Sequence, residues 1–280
     1  MNDKTSKKTC LIYSNCQFYL LDAHLKLSED FSQEYDISPP LLNFNAIKNK
    51  ISISEEIIEK TSLFIYQPLD KSYGNQSTDY ILNKLPSDCI KIAFPYIYFK
   101  GYWPQFCENP VNKPDQNYPY GKFPYGDYNV INTISNDSIQ KNKIMQELNR
   151  IDFYDEKKLL DNIDQTIEKL KERELLTDIK VSEFITKNYQ NYYLFHTPNH
   201  PSNMIATYVT NQILEILGIA PLSKAHQSEI SGNYQLPIYP SVITALNLKF
   251  MTFDSLYKLH FSKEKLTFNE YLSEYMKQYT

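Results

Sequence analysis

The chain has 280 residues, 42% of them apolar and 22% charged, with a net charge of −4. Those values allow a full buried core, as one large domain or a domain with a sizeable insertion, and they exclude a disordered chain. The negative balance supplies no basic face for nucleic acid, and no stretch approaches the ~20 apolar residues that a membrane-spanning helix needs.

Only Arg150 and Arg173 are arginines, so a bidentate grip on a phosphate falls to those two, or else to lysines and backbone amides. Lys4, Lys7 and Lys8 before Cys10-Leu11-Ile12-Tyr13 imitate a secretion signal, but Ser14, Asn15 and Gln17 interrupt the apolar run. The expected compartment is therefore the cytoplasm, where Cys10, Cys16, Cys89 and Cys107 stay thiols; none has metal-type spacing.

In chain order, residues 8–13 read as a buried strand and residues 17–26 as a helix, with Phe18, Leu21 and Leu25 on one face. Residues 61–66 form a second buried strand ended by Gln67-Pro68, 78–85 a helix, and 89–94 a third strand ended by Pro95. This alternation predicts a parallel sheet with helices on its faces. Residues 94–128 break the pattern, holding six of the 15 prolines and three of the six glycines among many Tyr and Phe. So long a loop is usually functional or mobile; it is a candidate for sugar or adenine contact, or else packs on the sheet. Residues 137–176 read as helical, with Leu159, Leu160, Ile163, Ile167 and Leu170 as a core stripe. Residues 192–195 follow as a short strand, then a helix over 202–217 with Gly218 as its C-cap, and short helices from 237 onward.

Cys16 falls where the first strand hands over to the first helix, and sites in open parallel sheets collect at strand carboxyl ends. Asn15 can cap that helix, leaving the sulfur beside first-turn N–H groups that would favour thiolate and could hold an oxyanion. The plainer alternative is a small cysteine filling a gap. His200, in Phe195-His196-Thr197-Pro198-Asn199-His200-Pro201-Ser202, lies between the late strand and its helix. If that strand is parallel to the first, His200 emerges on the same sheet edge as Cys16 and can serve as its base, kept neutral by the helix dipole; otherwise it caps the helix. Pro198 between His196 and His200 speaks against zinc, and no third ligand is evident.

Several blocks occur in order: Tyr13-Ser14-Asn15-Cys16-Gln17, Tyr66-Gln67-Pro68-Leu69, the run from Phe94 to Pro104, Arg173-Glu174 with the run from Asp178 to Ile185, the block from Phe195 to Pro201, and the run from Pro237 to Val242. Together they resemble the WcbI-like polysaccharide biosynthesis family over nearly the whole chain, and the layout is also similar to that of SGNH hydrolases. The resemblance implies an α/β fold: a small, parallel, doubly wound (Rossmann/SGNH-like) sheet with a large helical portion. It would be a single domain over 1–280 with a Pro/aromatic loop at 94–128 and a helical insertion at about 137–185. It further implies acyl transfer, most often acetyl, from coenzyme A to a sugar hydroxyl of capsular or other surface polysaccharide, with acetyl-CoA as donor and no metal. By position Cys16 falls on the cysteine of the family's Gly-Asn-Cys-Gln motif and His200 on the histidine of its Asn-His-Pro motif, and Ser14 stands where the family usually has glycine, a change that bears on the turn. Thr197 occupies the aspartate position of the hydrolases, leaving His200 without its carboxylate orienter unless a residue elsewhere supplies one.

Cys16, His200, Gln17 and Gln67 are thus the candidate catalytic residues, the last either an oxyanion donor or a strand-end amide. Ser14, Asn15, Arg173, His196 and Tyr98 are the candidate cofactor-binding residues; Arg173 would grip a coenzyme phosphate or else pair with Glu174 or Asp178. The expected partner is a sugar or polysaccharide acceptor, with at most peripheral association with a polysaccharide assembly complex. Two other classes share the layout: an esterase, deacetylase or thioesterase using water as acceptor, and a non-catalytic glycan-binding module.

Overall fold

The computed structural model describes residues 6–136, 141–224 and 226–279. In chain order the first half carries β1 (Lys8–Tyr13), α1 (Phe18–Leu25), α2 (Glu29–Glu34), β2 (Tyr35–Ile37), α3 (Asn43–Asn49), α4 (Glu55–Lys60), β3 (Thr61–Tyr66), α5 (Thr78–Leu82), β4 (Ile90–Ala93), β5 (Phe106–Glu108), β6 (Tyr125–Asp127) and α6 (Tyr128–Asn136). The second half carries α7 (Lys141–Leu148), α8 (Glu156–Glu174), α9 (Ser182–Asn188), β7 (Phe195–Thr197), β8 (His200–Pro201), α10 (Asn203–Ile216), α11 (Pro240–Ala245) and α12 (Phe268–Met276). Residues 137–140, the start of the expected helical insertion, lie outside the described residues. The chain divides into two compact units, one of Met1–Ile97, Lys169–Phe184 and Asn203–Ile230, the other of Tyr98–Glu168, Ile185–Ser202 and Ser231–Thr280.

The first unit contains the expected parallel sheet, with strand order β2-β1-β3-β4 and every pair parallel. β1 has a neighbour on each side, so Cys10 to Tyr13 are buried, as an unbroken apolar run in such a sheet must be. Side chains alternate across it. Leu11, Tyr13 and Phe64 pack with Ala46, Ile58 and Ile81 of α3, α4 and α5, whereas Cys10, Ile12, Leu63 and Ile65 are buried toward the opposite face. On α10, Ile205, Val209 and Ile213 recur at helical spacing and are buried, and α10 packs on α1. Each such side chain is worth about 1.5–3 kcal/mol on burial. Gly218 ends α10 in the left-handed region at φ 70°, as its C-cap role predicts. From β1 the chain runs to one side, to β2, and then crosses back to β3, so the order reverses between β1 and β3. Ligand sites in open α/β sheets lie at that switch point, beyond the strand carboxyl ends. Here those ends are Tyr13 and Tyr66, paired with each other.

The second unit is held by aromatic packing. Trp103 is fully buried and donates Nε1–H to the carbonyls of Leu236 and Pro237, while Tyr102 donates its hydroxyl to the Tyr189 carbonyl. Part of the Pro/aromatic loop is core: Phe99, Tyr102, Trp103 and Phe123 are buried, while Tyr120 is exposed. β5 and β6 pair antiparallel with Cys107 opposite Gly126. A Cβ on Gly126 would lie 2.5 Å from the Glu108 carbonyl oxygen, so only glycine lets these backbones approach and fixes the strand that carries Tyr125. Asp127 follows, fully buried; its Oδ1 accepts the N–H groups of Asn129 and Val130 as the N-cap of α6, and its Oδ2 accepts the Tyr239 hydroxyl at 2.7 Å.

Two expectations need correction. The late strand is 195–197 and does not join the parallel sheet; β7 pairs antiparallel with β8 in a hairpin of its own. Of the α8 stripe, Leu159, Ile163, Ile167 and Leu170 are buried, but Leu160 is 39% exposed, since a residue directly after Leu159 turns about 100° around the helix.

Candidate active site

In the first unit the chain leaves β1 through Ser14, Asn15, Cys16 and Gln17 and enters α1 at Phe18. Two buried glutamines, Gln17 at 2% and Gln67 at 3% exposure, fix this turn. Gln67 accepts the Asn15 N–H on Oε1 at 3.0 Å and donates Nε2–H to Gln17 Oε1 at 2.9 Å and to the Pro95 carbonyl at 3.4 Å. Gln17 in turn donates Nε2–H to the Ile97 carbonyl at 2.6 Å and accepts the Ile97 N–H at 3.3 Å. The two side-chain amides thereby add to the backbone bonds that tie the ends of β1 and β3 and the segment after β4 together. The donors expected of Gln17 and Gln67 for an oxyanion are spent: Gln67 is bonded as a strand-end amide, and the Gln17 backbone N–H donates to Asn15 Oδ1 at 2.9 Å.

Asn15 closes the turn before α1, but it is not the cap expected of it: the N-cap of α1 is Gln17, and no side chain caps that helix. Ser14 is fully buried, with its hydroxyl on the Asn15 carbonyl, so it shapes the turn and presents no side chain to a ligand. Its backbone is not among the positive-φ positions, so serine takes the family's glycine position without strain. Cys16 is half-buried. Burial pushes its thiol pKa up, its own backbone N–H opposing, so the lowering expected from the helix terminus is outweighed. Arg173, on the last turn of α8, pairs with neither Glu174 nor Asp178. Its guanidinium lies 5.2 Å from the Tyr96 ring centroid and donates to the Tyr96 carbonyl at 3.2 Å. Glu174 instead accepts the N–H groups of Val181 and Ser182, and Asp178 accepts that of Ala93.

In the second unit, the β7–β8 hairpin carries His200. Its Nδ1 lies 2.7 Å from Thr197 Oγ1 and 3.1 Å from the Tyr125 hydroxyl, and both hydroxyls also reach Asn199 Oδ1, at 3.1 and 2.9 Å. Burial, with a smaller push from His196, lowers the His200 pKa to about 4, so the imidazole is neutral at pH 7. The neutrality expected from a helix dipole comes from desolvation instead, since α10 begins only at Asn203. His196 is fully buried, its ring edge-on to Tyr193 at 5.0 Å and its carbonyl accepting the Leu236 N–H. That burial removes it from any ligand surface and corrects its place among the cofactor contacts. Tyr98 is half-buried.

The structure thus brings Asn15, Cys16, Gln17 and Gln67 together in one unit, and Tyr125, Thr197, Asn199 and His200 in the other. Tyr125 and Asn199 were absent from the sequence-derived set. Asn199 sits inside the Asn-His-Pro block and Tyr125 precedes the obligatory Gly126, which are the signals each offered. Among the described residues no group of three or more His, Cys, Asp or Glu is arranged to hold a metal ion, and no helix is long and apolar enough to cross a membrane.

A parallel sheet whose switch point carries a cysteine turn, together with a hydroxyl-bound histidine, defines an α/β protein of the kind that builds sites at strand ends. The family model described as "Polysaccharide biosynthesis enzyme WcbI" matches residues 9–222, and the chain belongs to that family. A solved structure described as WcbI, a novel polysaccharide biosynthesis enzyme, aligns with a TM-score of 0.78 at 21% identity, covering 98% of this chain and 90% of that one. It is described as the native protein without a disulfide bond between coenzyme A and a cysteine. No curated protein matches the chain.

Proposed function

We propose that this chain is a coenzyme A-dependent O-acyltransferase that moves an acyl group, acetyl in the simplest case, onto a sugar hydroxyl during capsular or other surface polysaccharide synthesis. The carrying observation is the turn at the β1/β3 switch point, which presents a half-buried thiol on a scaffold of buried amides. That a coenzyme A–cysteine disulfide is spoken of for the similar protein supports a coenzyme site beside this cysteine. The donor set fits such a ligand. Arg150 is spent on Asp152 and Glu147, whereas Arg173 bonds only the Tyr96 carbonyl among the described residues and keeps donors for a phosphate.

When bound, the coenzyme supplies an acyl thioester. His200 is the base: Nε2 takes the acceptor hydroxyl's proton as that oxygen bonds to the acyl carbon, then returns it to the departing sulfur. In a second route Cys16 carries the acyl group in between. Burial raises the Cys16 thiol and keeps the His200 imidazole neutral.

The test measures thiol release from acetyl-CoA with and without sugar acceptors, for the wild type, Cys16→Ala, Cys16→Ser and His200→Gln. Acceptor-dependent release that His200→Gln abolishes is expected. Near-normal turnover in both Cys16 variants assigns the direct route. Release that is indifferent to acceptor would mean a hydrolase, and glycan binding without turnover of any donor a binding module; either result overturns the proposal.

A further inference from the structure

We infer that Thr197, Tyr125 and Asn199 act together as the orienter of His200, replacing the carboxylate of a conventional triad and fixing the imidazole with its proton on Nδ1 and its lone pair on Nε2. This rests on the reading of His200 as the base; the proton placement is inferred from the distances within the cluster.

Asn199 Oδ1 only accepts. The Thr197 hydroxyl reaches it at 3.1 Å and the Tyr125 hydroxyl at 2.9 Å, and each hydroxyl has one proton to give. With both protons turned to Asn199, the two oxygens offer His200 Nδ1 lone pairs, at 2.7 Å from Thr197 and 3.1 Å from Tyr125. The two hydroxyls also lie 3.1 Å from each other, and the arrangement that gives Asn199 both protons makes Nδ1 the donor, which in a neutral imidazole puts the lone pair on Nε2. The positions of the three residues are independently fixed: Thr197 is fully buried in β7, opposite His200 in the β7–β8 register, and Tyr125 is carried by β6, which Gly126 locks against β5.

The substitution of hydroxyls for a carboxylate has a chemical consequence. A carboxylate at Nδ1 would favour the imidazolium and raise the histidine pKa by about 1–3 units. Two hydroxyls orient the ring equally well without that charge, in keeping with a base that stays neutral through the physiological range. These are positioning residues, since they act through His200.

The test reads the proton directly. In the full chain labelled with ¹⁵N-histidine, the His200 signals are assigned by their loss in His200→Gln, and the nitrogen shifts and couplings report which ring nitrogen is protonated. The wild type should show the Nδ1–H form. Thr197→Val should raise the Nε2–H share and lower kcat by roughly 10–100-fold, part of the ~10⁴-fold that a full tautomer error costs a conventional triad, with KM for the acceptor little changed. Thr197→Ser should restore both readouts. Thr197→Asp should move the acid limb of kcat/KM upward by about 1–3 pH units. Tyr125→Phe provides the same reading should Thr197→Val fail to fold. A wild-type His200 protonated on Nε2, or a tautomer indifferent to Thr197→Val and Tyr125→Phe, overturns the inference. Because the tautomer is read without substrate, an absence of acyl transfer leaves this result standing on its own.

Discussion

Asp127 should make the protein less stable at neutral pH than its packing warrants, and Asp127→Asn should recover the loss. Burial raises its pKa from 3.8 to about 6, although the Tyr239 hydroxyl and the N–H groups of Asn129 and Val130 favour the charged form. A folded pKa above the unfolded one means the folded state holds the proton more tightly. The associated stability is fully present below about pH 3.8 and is lost as pH rises through about 6. The gap, about 6 − 3.8 or 2.2 units, corresponds to about 3 kcal/mol. Asparagine keeps an oxygen for the two N–H groups, is as good an N-cap as aspartate, and turns an N–H₂ toward Tyr239, whose hydroxyl can accept. Urea unfolding of the wild type and Asp127→Asn at pH 4.5, 6 and 8, followed by far-UV circular dichroism, isolates the residue because other titrations cancel in the difference. The variant should be more stable by about 1–3 kcal/mol at pH 8, with the advantage falling to about a third of that by pH 4.5 and vanishing only below about pH 3.8. A variant less stable at pH 8, or an advantage that grows on acidification, would refute the claim that desolvation outweighs the hydrogen bonds at this carboxyl.

Three further outcomes are expected. Gln67→Ala strands the Asn15 N–H and a lone pair of Gln17 Oε1 in a buried site, so thermal unfolding should show a loss of about 2–5 kcal/mol, at about 1–3 per unsatisfied group plus lost packing; a loss under 1 kcal/mol would mean the amide clamp is not holding the turn. Alkylation of Cys16 by iodoacetamide, followed by peptide mass spectrometry, should speed up tenfold per pH unit from pH 7 to 9 with no plateau, because burial raises the thiol. A plateau near pH 7 would instead show the helix terminus winning. Gly126→Ala should destabilise by about 1–3 kcal/mol, since its Cβ meets the Glu108 carbonyl oxygen at 2.5 Å, and should lower turnover by loosening Tyr125; an alanine variant with wild-type stability and rate would refute both.

The parts of the fold that the sequence announced are those where local pattern and tertiary environment agree. The runs 8–13 and 61–66 carry continuous apolar stretches, Cys10 to Tyr13 and Leu63 to Tyr66, and both are strands with the bounds expected of them. β2 has three residues, Tyr35-Asp36-Ile37, too few for any period to register, and it takes its place only by pairing with β1. The strand at 195–197 was legible as extended chain but not as to its partner. The turn at Pro198-Asn199 lets it pair locally with His200-Pro201, and nothing in its composition separates that hairpin from a sheet strand. The site divides the same way. Cys16 and His200 stand out because their residue types and flanking turns are chemically suggestive. The spent amides of Gln17 and Gln67 and the displaced pKa values of Cys16 and His200 depend on burial, which is a property of the packed chain. Thr197 is the sharpest case: in sequence it reads as a missing aspartate, and in space its hydroxyl meets the ring that an aspartate would have held.

The two glutamines that hold the Cys16 turn have one more consequence. Neither carboxamide titrates, so acid and alkali leave every bond of that scaffold in place. The sulfur rides on a frame that is chemically silent from one end of the pH scale to the other, and any titration seen in its reactivity is the sulfur's own. Hydrolytic ageing of either amide to a carboxylate would end that silence by planting a charge in the fold's driest corner.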